Sequence, residues 1–247
     1  MDHIALEKSG QTPAVRQTAR HTVPTQIKNP ALVQKRRRRI VDSTVHLFAA
    51  HGYHRVTTRM IAKASGLSIG SLYEYVGSKE DVLYLVCEAI CPEVEKGVEK
   101  ALALEEPGRE QETLAEMIRQ YILVCDRMND HILLMYQITQ FLPKPWQVRV
   151  LENELRITDN FIRVLKRLSG KNGFPELSGQ TLNLIGHNIA VLGQMWAFRR
   201  WYLTRHFTVE DYIQQQSILI LRLIFGAENQ MCSVCTRPDI QAAAARG

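Results

Sequence analysis

The sequence predicts an all-α fold, in which an N-terminal three-helix unit containing a helix-turn-helix precedes a larger C-terminal helical domain. Apolar residues recur at helical spacing almost throughout from residue 34 onward. No strand-like alternation persists, and turn signals rich in Gly and Pro separate the helical stretches. With 247 residues, the chain is long enough for one or two domains with a full core.

The N-terminal unit is predicted from caps and turns. A first helix over 35–50 should end before Gly52, because Gly commonly follows the last helical residue. A second helix should run from a Thr cap to about Ser65, and a third from a Ser cap to about Tyr75. Gly66 supplies the turn between them. Their shared core is predicted to contain Ile61, Ala62, Leu67, Leu72 and Val76.

The C-terminal domain is predicted to begin with a fourth helix. Ser78 and Asp81 are spaced as a capping box, and Cys91-Pro92 should kink or break the helix that follows. The last helix is apolar around nearly its whole circumference, so one side should face the domain core and the other a second subunit. Further helices are predicted over about 112–127, from Asn129, and over about 146–168, 178–204 and 209–225.

The net charge of +6 is concentrated at the N-terminus. Residues 1–39 hold nine Lys and Arg against two Asp and Glu, whereas the rest of the chain holds 22 against 23. The run from Lys35 to Arg39 directly precedes the helix-turn-helix. It is either a solvated tail or an arm that lies on phosphates or in a minor groove, and its position favours the arm, with Arg38 and Arg39 as contacts.

A helix-turn-helix predicts double-stranded DNA as the partner. The first residues of the second of its helices reach base edges, and here they are Ser68, Ile69, Gly70 and Ser71. Thr57 and Ser68 could instead be only caps, and Lys79 only a solvated charge. The side chains predicted to contact phosphate are Thr57, Thr58, Arg59, Tyr73, Tyr75 and Lys79.

The stretch from Ile40 to Leu83 resembles the TetR family of transcriptional regulators. The matching segments are the end of the first helix at Phe48 to Tyr53, and Ala64 to Tyr73. Val76 departs from the pattern, since the family usually has Phe there. The resemblance implies an all-helical homodimer, usually a repressor, that leaves a palindromic operator when its C-terminal domain binds a small-molecule inducer. It also implies dimerisation through the last two helices.

A second resemblance, over 193–202 and 207–212, is to TetR regulators of fatty-acid, branched-chain-acid, sterol or aromatic-acid catabolism. Many of those respond to acyl-CoA thioesters, which need an apolar slot and cations for phosphate. Met and aromatic residues at helical spacing are otherwise core residues, and Arg199 and Arg200 could simply pair with acids. The candidate effector-binding residues are Met117, Tyr121, Arg127, Tyr136, Phe141, His187, Met195, Trp196, Arg199 and Arg200.

Other classes of function find no support in the sequence. It contains no hydrolase elbow, metalloprotease helix or nucleotide-binding fingerprint, so we expect no enzyme and no cofactor. The lone Cys232 and Cys235 pair supplies only two of the four ligands that a structural zinc needs, although two tails in a dimer could supply four, and we expect no metal site. A chain without an export signal or an apolar span is expected to be cytoplasmic, with no membrane partner.

Two alternatives to the acyl-CoA hypothesis stay open. The effector could be a hydrophobic drug or aromatic compound, or the C-terminal cavity could be filled by its own side chains and bind no effector. The predicted division is a disordered basic arm over 1–33, the helix-turn-helix domain over 34–80, a ligand-binding and dimerisation domain over 81–226, and a flexible tail over 227–247.

Overall fold

A computed structural model describes residues 23–225 and confirms the all-α prediction, since no strand occurs in that range. Short 3-10 helices at Tyr53–Arg55 and Thr139–Phe141 were not predicted. The α-helices are α1 Pro30–His51, α2 Thr58–Ala64, α3 Ile69–Tyr73, α4 Lys79–Glu88, α5 Ile90–Leu102, α6 Glu110–Arg127, α7 Asn129–Ile138, α8 Lys144–Leu168, α9 Gly179–Phe198, α10 Arg200–Leu203 and α11 Val209–Phe225.

Helices α2 and α3 form the predicted helix-turn-helix. Thr57 caps α2 by accepting a hydrogen bond from the Met60 amide, and Ser68 caps α3 by accepting one from the Ser71 amide. Gly66, in the turn, has a φ of 65°, a left-handed conformation that favours glycine. The predicted core is confirmed, with Leu67 partly buried and the other four residues at most 3% exposed.

The segment before the helix-turn-helix is more ordered than predicted. Helix α1 begins at Pro30, with Asn29 as its cap, so the prediction of disorder to residue 33 is wrong for residues 23–33. Val23 is buried, and the guanidinium of Arg37 donates to the carbonyls of Val23 and Tyr75 at 2.6 and 3.0 Å. These bonds hold the extended chain against the end of α3.

The break predicted near Pro92 occurs at Ala89, where α4 ends and α5 begins. Pro92 is the third residue of α5. A proline in the first turn is tolerated because its missing N–H would have no partner within the helix. The discontinuity therefore falls just before the proline. The Ser78 hydroxyl caps α4 through the Asp81 amide at 3.1 Å, as predicted.

The C-terminal domain packs around α6. This helix contacts α5, α9 and α11, while α8 packs on α5 and α9. Cys87, Cys91 and Cys125 are buried free thiols, as predicted, and burial raises the pKa of each to about 12. The fully buried side chains that fill this core include Leu114, Met117, Ile118, Ile122, Ile132, Phe161 and Trp196.

Helix α11 presents two apolar faces. Ile220 and Ile224 are buried, whereas Leu219 and Leu223 are 58% and 65% exposed. The Tyr212 hydroxyl donates to the Leu192 carbonyl at 2.9 Å and so fixes α11 on α9. The outer face of α11 therefore lacks a covering within residues 23–225 of one chain.

Candidate DNA interface and effector site

The recognition helix α3 presents a small, mixed surface to solvent. Ile69 and Tyr73 are 39% and 44% exposed. A Cβ at Gly70 would meet only the Ser68 hydroxyl, at 3.9 Å, so the backbone here is open to close approach. The hydroxyls of Ser68 and Ser71 lie 3.1 Å apart. This surface can offer hydroxyls to base edges or phosphate and an apolar contact to a thymine methyl.

Helix α2 supports α3 through its first turn. The Tyr73 hydroxyl donates to the Thr58 hydroxyl across a long 3.4 Å contact. Thr57 and Arg59 are exposed beside it. The predicted contacts of α2 and α3 thus lie together around Tyr73, an arrangement that suits a phosphate backbone running along both helix starts.

Two predicted DNA contacts have internal roles instead. Tyr75 is only 6% exposed and its ring belongs to the domain core. The Lys79 ammonium donates to the carbonyls of Tyr53 and Val56, each at 3.1 Å, and lies 4.1 Å from the Tyr53 ring centroid. Lys79 is therefore neither a free phosphate-binding charge nor a solvated one, because it joins α4 to the residues before α2.

The basic run predicted to form an arm lies inside α1. Arg38 and Arg39 are exposed, and the Arg39 guanidinium covers Gly66, where an added Cβ would collide with it. Arg37 is partly buried, and burial lowers its pKa. The run therefore supplies one structural cation and exposed charges on a rigid helix, while residues 1–22 lie outside the described part of the chain.

The predicted effector residues divide between core and surface. Met117, Tyr121 and Trp196 are at most 3% exposed, and the Tyr121 hydroxyl donates to the Ala190 carbonyl at 3.0 Å. These three side chains pack the interior. Met195 is partly exposed on α9.

Phe141, His187 and Arg127 do not lie with that group. Phe141 stacks on Tyr53 at 6.0 Å and lies against His54 at 4.6 Å, which places it between the two domains. His187 is exposed on α9 and Arg127 is exposed at the end of α6. A role of these three residues in effector binding stays a prediction, and helical periodicity alone does not say which faces meet.

The two predicted arginines on α9 and α10 differ. Arg200 forms an ion pair with Asp126 at 2.7 Å, and Asp126 also accepts from the Trp196 indole at 2.8 Å. Arg199 is exposed, and its guanidinium lies 5.1 Å from the Trp201 ring centroid. Trp201 is 61% exposed. Arg200 is thus a structural cation, whereas Arg199 is available to an anion.

The sequence interpretation missed three residues near this end of α9. The Arg205 guanidinium also lies over Trp201, at 5.9 Å, so two cations flank one exposed indole. Glu154 on α8 accepts a hydrogen bond from the Tyr136 hydroxyl at 2.8 Å. Arg205 and Trp201 carried a signal, since basic residues bracket an aromatic pair there, whereas nothing in the sequence marks Glu154.

The described part of the chain contains neither a metal-binding cluster nor a membrane-spanning helix. Residues 23–225 contain no group of three or more His, Cys, Asp or Glu side chains that could hold a metal ion. None of their helices is long and apolar enough to cross a membrane. Cys232, Cys235 and the predicted tail from residue 227 lie outside the described residues.

An all-helical chain with an exposed, capped recognition helix defines a helix-turn-helix DNA-binding regulator. Residues 40–84 match the family described as bacterial regulatory proteins, tetR family. The N-terminal domain of the chain therefore matches the DNA-binding domain of TetR-family regulators. Curated relatives of the chain are regulatory proteins, and the expectation that it is not an enzyme agrees with them.

Relatives extend the similarity beyond the DNA-binding domain. The HTH-type transcriptional regulator HbdR of Aromatoleum sp. (strain CIB) is 25% identical over 210 residues, which cover 85% of this chain and 89% of the relative. The fatty acid metabolism regulator protein of Bacillus subtilis (strain 168) is 41% identical over 44 residues, covering 18% and 23% of the two chains.

Solved structures share the whole fold. PfmR, a TetR-family regulator from Thermus thermophilus, aligns over 77% of this chain and 100% of its own, with a TM-score of 0.63 and 23% identity. AibR, solved with isovaleryl coenzyme A and operator DNA, aligns over 77% and 98% with a TM-score of 0.59 and 16% identity. At these identities the likeness supports the fold.

Proposed function

We propose that this protein is a homodimeric repressor of a palindromic operator. Its effector is an acyl-CoA thioester of fatty-, branched-chain- or aromatic-acid catabolism, which releases the repressor from the operator. The observation that carries the proposal is the surface of α3, a capped helix on which Ile69, Gly70 and Tyr73 face solvent. Such a helix reads only part of a site, so a two-fold dimer would read a palindrome.

The apolar outer face supports the dimer. Leu219 and Leu223 on α11 are more than half exposed, and Leu184 on α9 is 60% exposed. Helices α9 and α11 both pack on α6, and the Tyr212 hydroxyl bonds α11 to the Leu192 carbonyl of α9. Burying these leucines against a second copy would remove apolar area from water at about 25 cal/mol per Å2.

The cations around Trp201 support a CoA thioester. Arg199 and Arg205 flank an exposed indole, and planar aromatic and cationic groups suit an adenine nucleotide. AibR, which shares the fold, was solved with a CoA thioester and DNA together. A 44-residue similarity to a fatty acid metabolism regulator points to the same area of metabolism.

The test is a gel shift on an operator recovered from random duplexes by repeated selection on the purified protein. We expect a palindrome, and we expect one class of acyl-CoA, but not free CoA or the free acid, to release it. Arg199→Ala should weaken that release at least about tenfold, while Arg109→Ala, an exposed arginine paired with Glu106, should not.

Each failure has a distinct meaning. Selection without a palindrome would contradict the dimeric repressor. Release by uncharged aromatic compounds and by no thioester would favour the drug-type alternative. A complex that no compound releases would favour a regulator without an effector.

A further inference from the structure

Glu154 holds a hydrogen-bonding position that the protein itself leaves open. Its Oε2 accepts from the Tyr136 hydroxyl at 2.8 Å, but its Oε1 is buried and has no hydrogen-bond partner. Burial raises the pKa of Glu154, which the bond from Tyr136 only partly offsets. Among the described residues, none of the ion pairs includes Glu154.

The carboxyl group lies among several helices of the C-terminal domain. A negative charge on Glu154 raises the pKa of Cys87 on α4, of Tyr121 on α6 and of Tyr136 on α7. Glu154 and Tyr136 therefore form a polar pair that joins α8 to α7, and we refer to these two residues as the Glu154 cluster.

The Glu154 cluster is connected to the surface near the proposed nucleotide-binding cations. Tyr136 is 45% exposed, and its ring lies edge-on to Phe198 at 4.8 Å. Phe198 is the last residue of α9, directly before Arg199. A molecule whose anionic end lies on Arg199 and Trp201 could thus extend past Phe198 toward Glu154.

We propose that the Glu154 cluster binds a hydroxyl group on the acyl part of the effector, so that the effector is a hydroxyacyl-CoA and not a plain hydrocarbon thioester. A buried carboxyl oxygen without a partner is unfavourable, and a hydroxyl group can correct this in either protonation state. It donates to the ionised carboxylate and accepts from the neutral acid. The inference rests on the proposed function, because it assigns the acyl end of the same effector.

A hydrophobic acyl chain would not use this position. It offers neither a donor nor an acceptor, so the buried oxygen would stay unpaired. An organic cation could pair with an ionised Glu154, but it would not pair with Arg199 and Arg205, both of which carry positive charge. An anionic thioester that carries a neutral hydroxyl can bind at both places: its hydroxyl pairs with Glu154, and its phosphates pair with Arg199 and Arg205.

The experiment is calorimetric titration of full-length protein with matched pairs of thioesters. The pairs are butyryl-CoA with 3-hydroxybutyryl-CoA, and benzoyl-CoA with its three ring-hydroxylated isomers. In at least one pair, the hydroxylated member should bind about tenfold or more tightly, since a site built for a hydroxyl discriminates against its absence. Glu154→Leu should abolish this preference while retaining binding of the plain thioester.

The control is Glu152→Gln, which alters a neighbouring carboxylate that lies on the same helix and pairs with Arg149. It should leave the preference unchanged. Tyr136→Phe removes only the hydroxyl that orients Glu154, so it should weaken the preference several-fold and serves if Glu154→Leu fails to fold.

The outcomes separate the two proposals. Equal affinity within every pair, or a preference that survives both Glu154→Leu and Tyr136→Phe, would overturn the hydroxyl-binding role and leave the acyl-CoA repressor intact. Absence of binding by every thioester would remove the proposed effector itself. Glu154-dependent binding of tetraphenylphosphonium without binding of thioesters would overturn both.

Discussion

At the scale of single residues, burial and nearby carbonyls decide what a charged side chain does. Arg37 and Arg39 belong to one basic run, yet Arg37 is bonded to backbone carbonyls while Arg39 is exposed beside the turn at Gly66. Lys79 is likewise occupied by two carbonyls. Sequence position alone suggested phosphate contacts for all of them, because it cannot show which internal acceptors lie within reach.

The two tyrosines of the DNA-binding domain give a matched test of this point. Tyr73→Phe should weaken operator binding by roughly 1 kcal/mol, about fivefold, because its exposed hydroxyl can donate to phosphate. Tyr75→Phe should leave operator affinity unchanged, since that ring is buried. Fluorescence anisotropy on labelled operator measures both, with melting curves as the folding control. The opposite pattern would place the DNA on another face.

Glu154 should make stability depend on pH. Its pKa is raised in the folded protein, so the protonated acid is favoured there. The stability it contributes is therefore present below the ordinary carboxyl pKa and is lost as pH rises through the raised value. Glu154→Gln should match the wild type in acid and become the more stable of the two toward neutral pH. Urea unfolding of both proteins at several pH values measures this. Equal unfolding curves for the wild type and Glu154→Gln at every pH would contradict the prediction.

At the scale of helices, local signals predicted position well and function less well. The caps at Ser68 and Ser78 were identified from sequence, and the cap of α2 was narrowed to Thr57 or Thr58, because a capping hydroxyl acts on amides only two or three residues away. The placement of Phe141 could not be predicted, since its partners Tyr53 and His54 lie in another domain. The same holds for Glu154, whose hydrogen-bond partner Tyr136 lies on another helix.

The phosphate contacts proposed at the helix starts of the DNA-binding domain can be tested by the salt dependence of operator affinity. Arg59 is exposed at the start of α2, so Arg59→Ala should reduce the slope of log affinity against log salt by about one. Lys79→Met should keep the slope but lower stability by roughly 1 to 2 kcal/mol, because two carbonyls lose a donor. A reduced slope for Lys79→Met would show that Lys79 contacts phosphate, as the sequence predicted.

At the scale of the whole molecule, the two proposed surfaces depend on each other through the order of the helices. Helix α9 ends at Phe198, beside the Glu154 cluster, and its exposed Leu184 lies near its beginning. One helix thus carries a proposed dimer contact and a proposed effector contact. A ligand that shifts α9 would alter the relation of two subunits, and with it the spacing of two recognition helices on DNA.

This arrangement predicts that dimerisation and operator binding fail together. Leu223→Glu places a charge on the exposed outer face of α11 and should give a monomer in sedimentation velocity at micromolar concentration. Its affinity for a full palindrome should fall at least about tenfold, toward that for half a site, since linked binding is lost. Leu155→Glu, which alters a 54% exposed leucine on α8, should remain dimeric and bind normally. If the Leu223→Glu protein stays dimeric, the dimer interface lies elsewhere. If it is monomeric and keeps its operator affinity, a single recognition helix is enough for operator binding.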